Sequence, residues 1–417
     1  MKLNQFTLDQ QKNRWFFRTP DGSPFFIMAS NHAHVLDNPQ YDESIKRKYG
    51  TPDRAGRAFA QFMKDAGFNT AGSKPYHAML DQMPFVYGED AFVMHNFFQK
   101  PESFGFADVF SDDFESAVDN KVRDICNKTS RSANLIGYLW TDAPRWNLAI
   151  CRELRRTDFV SYTRNLPADA PGKRQYTAFL KERYRNDLAR FNWAYRANAK
   201  SFEALTDRSF DETLWTIPEV QADDREFLRL IARTVSGAFR RHDESAHLCL
   251  GERYFLHDHP SEVVEEIVPF IDVLSVQIGC GVWGFPRTPR HTIHFEKRFE
   301  GDLLDELHEL TGKPIFIYDH NLSYPTADYP ITHWAQKRTM KEAMDACARF
   351  MAEAFEKPYI VGYGKCQFPS VVGVYGELVS LKQGIVDLNL DPIPEFIAEL
   401  KRINSKILHE ALGTLRA

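Results

Sequence analysis

Short apolar runs alternate with amphipathic stretches along most of the chain. PFFIMAS, residues 24–30, reads as a first strand. Thr51-Pro52 then opens a helix, with threonine as N-cap and proline at the first helical position. Ala55, Phe59, Phe62, Met63 and Ala66 give that helix one apolar face, and Gly67 ends it. Strands are predicted at 68–73, near 83–87 and at 136–141. A long polar, helical region follows over 145–240, in which Tyr176, Phe179, Leu180, Tyr184, Leu188 and Phe191 keep helical spacing. A fifth strand reads at 247–255 and a sixth at 271–279, with the short helix SEVVEEIVPF between them. DLLDELHELTG is a helix closed by Gly312, and KPIFIYDH (313–320) is a seventh strand. The helix EAMDACARFMAEAF leads to an eighth strand at 358–364, and a last amphipathic helix spans 394–411.

Eight strands alternating with helices predict an α/β fold, a (β/α)8 TIM barrel occupying residues 1–417 as a single unit. The region 145–240 is then a helical insertion after strand 4. Continuous apolar runs suit parallel strands covered on both faces. A doubly wound open sheet is the structural alternative, but no GxGxxG or GxxxxGK[ST] follows an early strand.

Charge narrows the partners. With 57 acidic and 52 basic residues, net −5, the chain lacks the basic excess of a nucleic-acid binder. No apolar run approaches the ~18 residues of a membrane-spanning helix. The first residues, MKLNQFTLDQQKNRWFF, lack the apolar core of a signal peptide, so the expectation is a cytoplasmic protein. Six cysteines without a CxxC pair suggest neither a zinc ribbon nor a disulfide framework. The oligomeric state stays open.

In such barrels chemistry gathers at the C-terminal ends of the strands. Those ends carry Asn31, His32 and His34; Lys74 and Tyr76; Thr141 and Asp142; Glu252, Arg253 and Tyr254; Gln277; Asp319, His320 and Asn321; Lys365 and Gln367. Asp142 and Asp319 end strands 4 and 7. Two carboxylates across a cleft are the minimum for cleaving a glycosidic bond: one protonates the leaving oxygen, the other attacks or activates water. For either aspartate alone, a loop cap or an ion pair to Arg145, Arg253 or Lys365 is an equally good account.

The chain resembles clan A glycoside hydrolases, most closely the agarase-like and β-galactosidase-like members. The resemblance covers most of the chain and rests on the order of TPDGSPFFIMASNH, FADVFSDDF, LIGYLWTDAPRW, the helix with SFEALTD, FIDVLSVQ, GKPIFIYD and GIVDLNLDPIPEF. It implies a general acid at the end of strand 4 and a nucleophile at the end of strand 7. Those enzymes typically use glutamate in both roles, the first in an Asn-Glu pair. Here Thr141-Asp142 and Asp319 stand in those places. Each side chain is shorter by roughly 1.3 Å. Retaining enzymes hold the carboxyls ~5–5.5 Å apart and inverting ones ~6.5–9.5 Å, so two aspartates shift the expectation toward inversion. Asp142 is then the general acid and Asp319 the general base, with the retaining version, Asp319 as nucleophile, still open. No cofactor is needed for this chemistry.

Lys74, Arg145, Arg253 and Lys365 gather cationic charge near the same rim, which is first of all charge balance with Asp142, Glu252 and Asp319, and otherwise suits a sulfated galactan or uronic-acid oligosaccharide. Trp140, Trp146, Trp283 and Trp334 are candidate platforms for sugar rings, or core. His32, His34, Lys74, Tyr76, Trp140, Arg145, Glu252, Arg253, Tyr254, Gln277, Trp283, His320, Asn321, Lys365 and Gln367 are thus the expected substrate contacts. Two rivals remain. One is a barrel that binds carbohydrate without cutting it. The other is an amidohydrolase-like metal hydrolase using His32, His34, His257 and His259, for which strand 6 offers Gln277 and strand 8 Lys365 where ligands are wanted.

Overall fold

The computed structural model describes residues 5–34, 39–88, 107–140, 146–153, 155, 157–242, 247–255, 260–278, 299–320, 323–332, 337–372 and 379–416. The chain opens with an antiparallel sheet of β1 (Thr7–Gln11), β2 (Arg14–Arg18) and β3 (Pro24–Phe25). A central parallel sheet follows, built from β4 (Ile27–Ser30), β5 (Thr70–Ala71), β6 (Phe85–Gly88), β7 (Leu135–Leu139), β8 (Leu248–Cys249), β9 (Tyr254–Phe255), β10 (Leu274–Gln277), β11 (Ile315–His320) and β13 (Ile360–Lys365). A third, small sheet combines β12 (Ile331–Thr332), β14 (Val371–Val372) and β15 (Val379–Lys382).

The central strands run in the order β8-β7-β6-β5-β4-β13-β11-β10-β9. Both ends of that order belong to one segment, residues 248–255. The expected fifth strand is therefore two short pieces: β8 pairs with β7, β9 with β10, and the sheet curls back on itself through the gap between them. Gly251, at φ +73°, sits in that gap. A glycine inside a strand pattern commonly marks such a break. Backbone bonds still tie the gap to its neighbours: Leu250 N–H donates to Tyr138 O at 2.7 Å and Trp140 N–H to Gly251 O at 2.9 Å.

Packing separates two apolar layers. Ile27, Ala29, Val86, Ile136, Leu250, Val273, Phe316, Tyr318 and Val361 fill the inside of the curled sheet. Phe17 of β2 and Phe6, just before β1, join them, and Trp15 N–H bonds Pro358 O just before β13. That sheet, not expected from the sequence, thus plugs the N-terminal end and leaves the other end for chemistry. Outside lie the helices α1 (Pro39–Tyr49), α2 (Pro52–Asp65), α3 (Asp112–Thr129), α4 (Leu148–Glu153), α5 (Phe159–Arg164), α6 (Pro171–Arg183), α7 (Leu188–Ala194), α8 (Pro218–His242), α9 (Ser261–Ile267), α10 (Gly301–Thr311), α11 (Met340–Glu356) and α12 (Pro394–Arg416). Thr51 caps α2 with Pro52 at its first turn, and Gly312 ends α10 at φ +64°, as expected. Among the described residues no helix is long and apolar enough to cross a membrane.

The region read as one helical stretch near 176–191 is broken. Arg185 and Asn186 adopt left-handed backbone conformations, and Asp187 caps α7. Helices α4 to α8 enclose a buried polar network. Arg164, fully buried, grips both oxygens of Asp224 at 3.0 and 2.8 Å, and Arg152 reaches the same carboxylate at 3.1 Å. Burial opposes the Arg164 charge, but Asp224, Tyr176 and Asp158 outweigh it and hold the guanidinium above its usual range. Asp223 accepts from the Tyr184 and Tyr195 hydroxyls at 2.7 and 3.2 Å.

Candidate active site

The seventh barrel strand decides which side chains reach the open end. Phe316 and Tyr318 face inward, while Ile315 and Ile317 belong to the outer layer. Strict alternation would turn Asp319 outward and His320 inward. However, Ile317 pairs with Tyr363 and His320 with Lys365, so three steps on β11 oppose two on β13. A bulge of this kind re-aims the side chains beyond it. Asp319, 1% exposed, is brought to Arg253, which donates to its Oδ2 at 2.7 Å. His320 turns to the helix layer instead, stacked 4.1 Å from the Phe350 ring of α11, with Nδ1 2.8 Å from the Tyr363 hydroxyl.

Asn31, in line with inward-facing Ile27 and Ala29, donates to Tyr318 O and lies 3.4 Å from Asp319 Oδ1. Two glycines make room for it. A Cβ on Gly72 would fall 1.9 Å from Asn31 Oδ1; one on Gly364 would fall 2.3 Å from Tyr318 O and 3.0 Å from Asn31 Nδ2. Asn31 can rotate away from the first, whereas the second meets backbone. Gly364→Ala is therefore expected to lower stability by about 1–3 kcal/mol. Gly72→Ala should cost less, by displacing Asn31. Urea unfolding of the two variants checks this, and a Gly364→Ala midpoint equal to wild type would contradict it.

Around Asp319 the structure gathers Asn31, Arg253, His32 and Cys366. Donor atoms of His32, Asp319 and Cys366 all lie within 4.8 Å of one another. His32 is half-buried, at φ +55°, edge-on to the Tyr318 ring at 6.4 Å. The strand-1 rim extends onto the next strand, with His32 N–H on Ser73 O and His34 N–H on Lys74 O. His34 and Lys74 are half-buried there. Gln277 ends β10 and is 1% exposed; Gln367 is half-buried after β13, joined to Cys366 by a cis peptide.

Other expected contacts are placed elsewhere. Trp140 stacks between Tyr138 and Phe239 at 4.7 and 5.7 Å, so its indole packs against α8. Tyr76 packs on Phe59 of α2, and burial, with Asp42 and Asp53, raises its hydroxyl above the usual range. Lys365, fully buried, donates to Gln383 O, with its ammonium 5.3 Å from the Phe396 ring of α12. Tyr254 is buried, and burial, then Glu252, hold its hydroxyl well above the usual range. Glu252 accepts from Trp146 Nε1 at 2.7 Å. Trp146 is itself fully buried and stacked on Phe159, so it braces the gap in the fifth strand. Thr141, Asp142, Arg145, His257, His259, Cys280, Trp283, Asn321 and Trp334 lie outside the described residues.

Sequence reasoning named Asn31 at a strand end but missed its contact with Asp319, and missed both flanking glycines. Their only signal was a glycine beside or within a strand, which hints at a close approach without saying of what.

No protein-family model and no curated protein matches the sequence. Solved structures do match its fold. An agarase, AgWH50C, superposes with a TM-score of 0.78 at 15% identity, over 98% of this chain and 66% of the other. An exo-β-agarase gives 0.79 at 18% identity, over 99% and 66%. A β-glucuronidase of Bifidobacterium dentium, solved with coumarin-3-O-glucuronide, gives 0.52 at 9% identity, over 96% and 49%. The chain thus spans about two thirds of the length of these agarases. What it shares with them is the fold, a parallel sheet curled into an α/β barrel.

Proposed function

We propose that the chain is a glycoside hydrolase acting on galactan-type oligosaccharides. The observation that carries this reading is Asp319: a carboxylate delivered by a bulge to the open end of the seventh barrel strand, in contact with Arg253 and Asn31. The likeness in fold to agarases supports the substrate class. Asp319 is then the general base and Asp142 the general acid, with inversion of the anomeric centre, because two aspartates in place of glutamates widen the gap between the carboxyls; the retaining version has Asp319 as nucleophile. Water loses its proton to Asp319 as its oxygen bonds the anomeric carbon. Asp142 protonates the departing glycosidic oxygen.

Of the four rim cations, Arg253 is engaged with Asp319 and Lys365 with Gln383 and Phe396. The test is a screen of neutral galactan, sulfated galactan and uronic-acid oligosaccharides, with products followed by mass spectrometry and the first-formed anomer by NMR. Cleavage of a galactan oligosaccharide with inversion is expected. A retained anomer ends the general-base role of Asp319. A binding-only barrel is the second reading, and the Asp319–Arg253 ion pair favours it, because a carboxylate held at 2.7 Å has a partner already. Binding without any product would establish it.

A further inference from the structure

We propose that His32, Asp319 and Cys366 form a site for one soft divalent cation of the zinc class. The three residues follow or end β4, β11 and β13, which are neighbours in the sheet order β4-β13-β11. Their donor atoms come from three adjacent strand ends and converge to within 4.8 Å of one another. Tetrahedral zinc, with bonds of ~2.0–2.3 Å, sets donors about 3.4–3.6 Å apart. Small rotations of three side chains close that difference.

The donor set determines the class of ion. A thiolate beside an imidazole and a carboxylate selects zinc-like cations over magnesium or calcium, which take all-oxygen shells. Arg253 engages Asp319 Oδ2, so we assign the ion to Oδ1, whose contact with Asn31 is longer, at 3.4 Å. Cys366 is fully buried and Asp319 nearly so, while half-buried His32 forms the open side. Among the described residues these three donors leave a fourth position for water or a sugar hydroxyl. On binding, the Cys366 thiol releases its proton to solvent. The site stands on this geometry alone. If the chain also hydrolyses oligosaccharides, a bound ion takes from water the carboxylate that the reaction uses.

Cobalt(II) reports on the site without any need for turnover. Protein stripped by a chelator and titrated with Co2+ should bind one ion per chain and develop a near-ultraviolet thiolate-to-cobalt charge-transfer band. Cys366→Ser should abolish the band, and Cys126→Ala, on α3 away from the site, should keep it. Zinc affinity, measured by competition with a chromophoric chelator, should fall by about tenfold or more in Cys366→Ser and in His32→Ala; losing a ligand costs at least as much as losing its hydrogen-bond partner. No band in wild-type protein, or a band that survives Cys366→Ser, overturns the proposal. Because absorbance is read in the absence of sugar, a failed metal site and a failed hydrolase reading give different results.

Discussion

An Asp319→Asn variant is expected to lose hydrolysis of its oligosaccharide by about 10²–10⁴-fold, the contribution typical of a positioned general base. The carboxamide fills the same space and still offers Arg253 an acceptor oxygen, so the variant should remain folded. It cannot take a proton from water. Two controls separate chemistry from architecture. Arg253 is 2% exposed, and removing its partner's charge leaves a buried cation poorly compensated. Some loss of stability is therefore expected beside the loss of rate. The double variant Asp319→Leu/Arg253→Met removes both charges and should recover that stability without recovering activity. Steady-state rates and urea unfolding on the three proteins check the pattern. Wild-type turnover in Asp319→Asn would remove Asp319 from the reaction altogether.

The largest stability effect is expected in the helical region. Asp224→Ala should destabilise the protein by about 3–5 kcal/mol, because it leaves the fully buried Arg164 facing an empty acceptor position. Arg152, which also reaches Asp224, loses the same partner but keeps Asp158 at 3.1 Å. Replacing both members of the central pair, Arg164→Met/Asp224→Leu, should cost much less, since apolar side chains of similar size need no compensation. Urea unfolding of the single and double variants gives the comparison. A single-variant loss below about 1 kcal/mol would show that the network relaxes around the gap.

The barrel was legible because most of its strands are buried on both faces and spelled as continuous apolar runs, punctuated by caps such as Thr51 and Gly312. The small N-terminal sheet was not, since Trp15, Phe16 and Phe17 are flanked by charged residues and carry no long apolar run. The fifth strand looked continuous because Leu248, Cys249, Leu250, Tyr254 and Phe255 are all good strand residues. Gly251 and the charged pair Glu252-Arg253 spoke against it. Asp319 was found by its position at a strand end, yet the residue beside it went the other way. The bulge that turns Asp319 in and His320 out depends on pairing with β13, which lies 40 or more residues further along the chain. Trp140 shows the same limit. An aromatic residue at a strand end is as well suited to a sugar as to a helix, and the choice was made by Phe239 on α8.

The break at residues 250–253 has a consequence for how this protein can change. At that point the backbone bonds across the ring of strands are reinforced by what Glu252 and Arg253 hold: the indole of Trp146 on one side and the carboxylate of Asp319 on the other. The clasp of the ring and the candidate catalytic carboxylate share one ion pair. If Asp319 is the general base proposed above, substitutions that release it from Arg253 loosen the clasp, and those that tighten the clasp hold it away from a sugar. On that reading activity and durability are traded against each other at this one contact.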